Sequence, residues 1–169
     1  MTSFDQLPDH ARVWIYQASR PLTDAELAAT ATDLAQFTGG WASHGQALLA
    51  GAAWRHRQFL LIGLDERQAG ASGCSIDASV HFVRSLEQTL GVSLLDKSQM
   101  AFLLDGQVRL FDRRELREAV AAGTLTAGSL YFDNTLAAKG QLAAGWPAPA
   151  GRTWLRKYFA PPPQPAVAV

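Results

Sequence analysis

Apolar positions along the chain change period several times, and the changes mark the elements. Arg12 to Gln17 reads Arg-Val-Trp-Ile-Tyr-Gln, β-branched and aromatic in the manner of a strand. Pro21 breaks it. Thr23 with Glu26 three residues on is a capping-box pattern, and Leu27, Ala31, Leu34 and Phe37 then recur at helical spacing until Gly39-Gly40. Two extended stretches follow, from Gln46 to about Arg57 and from Gln58 to Asp65. The second contains Phe59-Leu60-Leu61-Ile62-Gly63-Leu64, apolar on both faces, which predicts a central strand.

Helical spacing returns at Ile76, Val80, Val83, Leu86 and Leu90, with Gly91 as the stop. Met100 to Leu104 and Gln107 to Phe111 predict a hairpin across Asp105-Gly106, a pair that tolerates the positive φ of a type I′ turn. A short helix, Arg114 to Ala121, and a strand around Leu130 to Phe132 complete the pattern. The order β-α-β-β-α-β predicts an α+β fold of the ferredoxin-like split βαβ arrangement, with an added C-terminal hairpin, helix and strand. Residues 1–159 are expected to form a single α+β domain. The proline-rich stretch 160–169 is expected to be a disordered tail, because proline lacks the N–H that a helix or central strand requires.

Composition narrows the partners. Lysine plus arginine balance aspartate plus glutamate at 15 each, so no bulk charge draws the chain to nucleic acid or acidic lipid. One cysteine forms no internal disulfide, in keeping with a reducing compartment. The first residues show neither a basic n-region nor an apolar h-region, and no apolar run approaches the ~20 residues of a membrane helix. A cytoplasmic protein is expected, with neither membrane nor nucleic acid as partner.

Familiar chemical motifs are missing. No Gly-Lys dipeptide offers a phosphate-cradling P-loop, and no Gly-x-Gly-x-x-Gly follows a strand. One cysteine and four scattered histidines do not make a zinc site. Cys74 has no second cysteine three residues on, and Val80 stands where a cysteine phosphatase would place its arginine. No metal and no cofactor is implied.

The remaining constellation surrounds Cys74, in Gly70-Ala71-Ser72-Gly73-Cys74-Ser75-Ile76-Asp77. A helix N-terminus favours the thiolate through its unpaired N–H groups and dipole. Gly70 and Gly73 permit positive φ and close approach, so their backbone is a candidate anion nest, with Ser72 and Ser75 adding hydroxyls. His44 is the candidate base, with Asp77 or Asp65 to orient it; His81 is an alternative base one turn after Asp77. Plainer readings stand beside these. A lone cysteine is often a buried small hydrophobe, a loop histidine often satisfies a turn, and an aspartate in a first turn complements the dipole. A second cluster, Asn134 with Lys139-Gly140, has the make-up of a polar turn, or of a lysine and amide that reach a ligand at a strand end.

Leu7-Pro8-Asp9, Ala11 to Gln17, Trp41 with His44-Gly45, the Ala71-Ser-Gly-Cys-Ser-Ile-Asp77 motif, Asn134 with Lys139-Gly140, and the Trp154 region form one combination. By it, the chain resembles a family of short bacterial proteins of Bacteroidota type, over nearly the whole length up to the proline tail. That family has no assigned reaction. Its members often carry an ABC transporter ATPase label, which would require a P-loop, a signature motif and a longer chain. The resemblance implies a bacterial cytoplasmic protein and transfers no chemistry.

Two functions remain open from the sequence. One is a cysteine-dependent hydrolase or acyl transferase with Cys74 as nucleophile, His44 as base and Asp77 as orienter. The other is a non-catalytic binding module for an anionic small molecule or a protein partner, with Gly70, Ser72, Gly73, Ser75, Asn134 and Lys139 as candidate ligand-binding residues.

Overall fold

A computed structural model describes residues 2–67 and 69–159; the expected tail, 160–169, lies outside the described residues. In chain order the elements begin β1 (Arg12–Gln17), α1 (Asp24–Gly40), β2 (Ala42–Ser43), β3 (Gln46–Ala47), β4 (Leu49–Arg55), β5 (Phe59–Asp65) and α2 (Gly73–Leu90). They continue with β6 (Met100–Leu104), β7 (Gln107–Phe111), α3 (Arg113–Ala121), β8 (Leu130–Tyr131), α4 (Lys139–Gly145) and β9 (Ala148–Pro149). The fold is mixed α+β with antiparallel sheets. The chain divides into two compact units, Met1–Ser98 with Asp133–Trp146, and Gln99–Phe132 with Pro147–Val169.

In the first unit β5 lies between β1 and β4, both antiparallel to it. All seven residues of β5 are buried, as a strand apolar on both faces should be. Leu60, Ile62 and Leu64 face a core shared with Leu34, Val83 and Leu86 of α1 and α2. The alternate residues, Phe59, Leu61, Gly63 and Asp65, point to the opposite face.

That opposite face is covered by segments the periodicity did not announce. A 3₁₀ turn, Phe4–Gln6, buries Phe4 and is followed by buried Leu7. A strap through 137–139 then runs along the free edge of β1. Val13 N–H donates to Ala137 O at 2.8 Å, and Lys139 N–H to Ala11 O at 2.9 Å. The split βαβ expectation placed the strand after α2 at such a position. Instead, β6 pairs with β7 and β8 in a four-stranded sheet of order β7-β6-β8-β9. Lys139 begins α4, where the sequence predicts a turn and not a helix.

Helix ends follow local chemistry. Thr23 Oγ1 accepts from Glu26 N–H at 3.2 Å and Glu26 Oε2 accepts from Thr23 N–H at 2.7 Å, closing the expected capping box. The α1 helix continues past Phe37 through both glycines. Its buried face includes Thr30 and Thr38, whose hydroxyls bond back to carbonyls one turn earlier, while Ala31 is exposed. Gly91 ends α2 in the left-handed conformation, φ 60°, with its N–H on Glu87 O.

In the second unit β6 and β7 turn at Asp105-Gly106, φ 51° and 77°, as a type I′ hairpin requires. Asp112 caps α3, accepting from the Arg114 and Glu115 N–H groups at 2.7 Å each. Phe102, Leu116, Leu125 and Leu155 form this unit's core. Among the described residues no helix is long and apolar enough to cross a membrane.

Candidate functional site

The start of α2 is built by its serines. Ser72 is the N-cap: its Oγ accepts from Ser75 N–H at 3.2 Å, and its own N–H donates to Ser75 Oγ at 2.8 Å. The Ser75 hydroxyl donates in turn to Ser72 O at 2.9 Å, and Ser75 is buried. Both hydroxyls are therefore spent on closing the helix. Neither Gly70 nor Gly73 takes the positive φ expected of a nest; Gly73 is the first residue of the helix. Cys74 follows it and is exposed.

His44 sits with Gly45 at the tip of the β2–β3 hairpin, φ 50° and 79°, so its backbone serves a tight turn and its side chain is exposed. The hairpin is tied to the first turn of α2 by Trp41, whose Nε1–H donates to Ser75 O at 2.8 Å. No hydrogen bond among the described residues links Cys74, His44 and Asp77, and Asp77 and His81 are exposed on α2. Asp65 is engaged elsewhere. Its Oδ1 lies 2.9 Å from His10 Nε2, and this bond, with the Arg67 backbone N–H, holds the carboxyl below its ordinary range. The histidine that Asp65 orients is thus His10, which carries no sequence signal because its partner is 55 residues away.

An open groove of about 680 Å³ lies between α1 and α2. Phe37 and Phe82 stack in it at 4.2 Å between centroids, with Trp41 beside them. Cys74 lies one turn before Ala78, which lines the groove, so the thiol begins the same helical stripe.

A smaller cavity of about 260 Å³ opens on the other face of the sheet. Arg55, at the end of β4, His56 and Lys139 supply its basic wall, and Phe4, Leu142 and Trp146 much of its apolar one. Lys139 Nζ donates to Asp5 O at 2.6 Å and to Leu7 O, so it clasps the N-terminal segment. Among the described residues no carboxylate pairs with it. Arg55 NH2 donates to Asp5 Oδ1 at 2.5 Å, and its guanidinium lies 5.8 Å from the centre of the Phe4 ring. The one carboxylate lining this cavity, Asp5, therefore bonds Arg55 and not Lys139. Burial, then the nearby Arg55 charge, lowers the His56 pKa from 6.5, which keeps this imidazole neutral at neutral pH.

Of the two residues singled out in the second sequence cluster, Lys139 lines this cavity and Asn134 does not. Asn134 Nδ2–H donates to Gln17 Oε1 at 2.9 Å, at the far end of β1 from the Lys139–Ala11 bond. Arg55, His56 and Asp5 were missed. The sequence separates Asp5 from Lys139 by 134 residues and offers no motif that joins them. Among the described residues no group of three or more His, Cys, Asp or Glu side chains is placed to hold a metal ion.

No family model matches this chain, and no curated protein or solved structure matches it either.

Proposed function

We propose that the protein is a non-catalytic binding module that takes a small anionic molecule in the cavity beside Lys139, acting in the cytoplasm. The observation that carries this reading is the charge of the cavity wall. Among the described residues Lys139 is held by two backbone carbonyls and by no carboxylate, and the exposed Asp5 is the one counter-ion of Arg55. A half-buried cation without a counter-ion is a ready partner for an anion. The first unit reads as a ferredoxin-like sheet in which 137–139 takes the fourth strand's place, a scaffold that hosts many unrelated activities. Titration of the labelled protein with sodium acetate and inorganic phosphate tests the reading. Saturable NMR shifts at Asp5, Arg55, His56 and Lys139 are expected. Shifts absent there at millimolar anion overturn it.

A cysteine-dependent hydrolase or acyl transferase is the second reading, favoured by the exposure of Cys74 in the first turn of α2 and at the head of the groove stripe. In it Cys74 Sγ attacks a carbonyl carbon, His44 takes the thiol proton and gives it to the departing group, water or another acceptor then takes the acyl group from Cys74, and Asp77 orients His44. The pH dependence of Cys74 alkylation tests this reading. A thiol pKa well below ~8.5 supports it, and a value at or above that counts against it.

A further inference from the structure

Resting on the anion-binding reading, we propose that the cavity ligand is a small aromatic monocarboxylate and that Asp5 is the built-in competitor it displaces. The Asp5 carboxylate already shows which anion Arg55 accepts, since Arg55 NH2 donates to Asp5 Oδ1 at 2.5 Å. The planar guanidinium matches a carboxylate's two oxygens, and Phe4, Leu61, Leu142 and Trp146 give the rest of the wall an apolar surface for the body of the ligand.

The competitor is free to leave without unfolding its segment. The Asp5 side chain is 74% exposed, so its ion pair is weak and screened. Its main chain is anchored independently. Lys139 holds the Asp5 carbonyl, and Phe4, 4% exposed, is packed against β4 where Gly51 leaves room for it. A side-chain rotation of Asp5 therefore uncovers Arg55 while the cavity keeps its shape.

The remaining surfaces suit a ring. Trp146 meets Phe59 edge-on at 4.9 Å and His56 at 5.8 Å, contacts that fix the indole plane. Phe4, Leu61 and Leu142 complete an apolar box below the cations. At about 260 Å³ the cavity falls under the roughly 300–1,000 Å³ of sites for drug-sized ligands, a size that suits one ring with its carboxylate.

Benzoate, acetate and inorganic phosphate are the probes, titrated by calorimetry and NMR into the full chain and into Asp5→Asn. Thermal melts establish that the variant is folded, and Asp5→Ser removes the same carboxylate should Asn perturb the turn. Benzoate is expected to bind more tightly than acetate or phosphate, with shifts at His56, Leu142 and Trp146. Loss of the Asp5 carboxylate is expected to tighten benzoate by up to about five-fold, the size of an exposed ion pair removed. Acetate or phosphate binding as tightly as benzoate, with Lys139 shifted, overturns the aromatic class and leaves the anion-binding reading standing. Benzoate affinity unchanged or weakened in Asp5→Asn overturns the competitor role. No binding of any probe to either protein overturns both.

Discussion

Gly51 of β4 and Gly63 of β5 are directly paired across the sheet, and the N-terminal segment lies in the slot their missing side chains leave. A methyl group on Gly51 would sit 2.7 Å from the Phe4 backbone nitrogen and 2.8 Å from the Ser3 carbonyl carbon. On Gly63 it would meet the Leu7 and Phe4 side chains. The sheet thus recognises its own N-terminus by close backbone approach.

Gly51→Ala is accordingly expected to destabilise the protein by about 1–3 kcal/mol, the usual cost of overpacking against atoms that cannot rotate away. Urea unfolding measures it. Gly63→Ala should cost less if Leu7 can change rotamer, because its neighbours there are side-chain atoms. A smaller loss at Gly51 than at Gly63 would contradict this account of the slot.

The α1 capping box gives a pH prediction. The Arg20 side chain, then the Thr23 N–H, stabilise the ionised Glu26 carboxylate and lower its pKa from 4.5 to about 2. As pH falls, the unfolded chain takes up this proton first. The stabilisation is therefore complete above about 4.5 and is lost as pH falls to about 2. Comparing acid unfolding with Glu26→Gln should show a flatter profile in the variant. Thr23→Ala should lower stability by about 1 kcal/mol at neutral pH, read by thermal melting.

His56 titrates in the opposite manner to a histidine that gains a carboxylate partner. Its folded pKa is lowered from 6.5 by burial and then by Arg55, so the neutral form is the one the fold favours. Its contribution is present above about 6.5 and is lost as pH falls toward the folded value. His56 also adopts φ 48° in the β4–β5 turn, where asparagine is comfortable. His56→Asn should therefore keep the turn and reduce the loss of stability just below pH 6.5. Urea midpoints across that range provide the comparison.

Cys74→Ala should change stability by no more than about 0.5 kcal/mol, as for other exposed positions outside a packed core. On the binding-module reading, its anion titration should match the wild-type protein. On the cysteine-enzyme reading, any turnover should vanish with the thiol while the melting curve stays in place.

Much of the framework was legible because its causes are local. Thr23 with Glu26, Gly91 after Leu90, Asp105-Gly106, and the unbroken apolar run of β5 each act within a few residues, and each does in the structure what its chemistry requires. The N-terminal turn and the strap through 137–139 left no such mark. One is specified by two glycines that lack side chains, the other by backbone bonds from Val13 to Ala137 and Lys139 to Ala11. The site divides along the same line. Lys139 drew notice as a lysine in a polar turn, but Arg55 and Asp5 become its neighbours only through the sheet register and the N-terminal slot. His10 and Asp65 likewise meet only once β5 and the segment before β1 are placed.

The bonds of 137–139 to the β1 edge also impose an order in time. A chain emerging from its N-terminus has β1, β4 and β5 in hand by residue 65, yet the residues that cover the outer edge of β1 come only after the 34 residues of Gln99–Phe132. Until then that edge offers unpaired N–H and C=O groups to any other strand. The first unit consequently begins to fold first but stays open at one edge while Gln99–Phe132 is made, so a nascent or truncated chain ending near Ser98 is the form most exposed to edge-to-edge association.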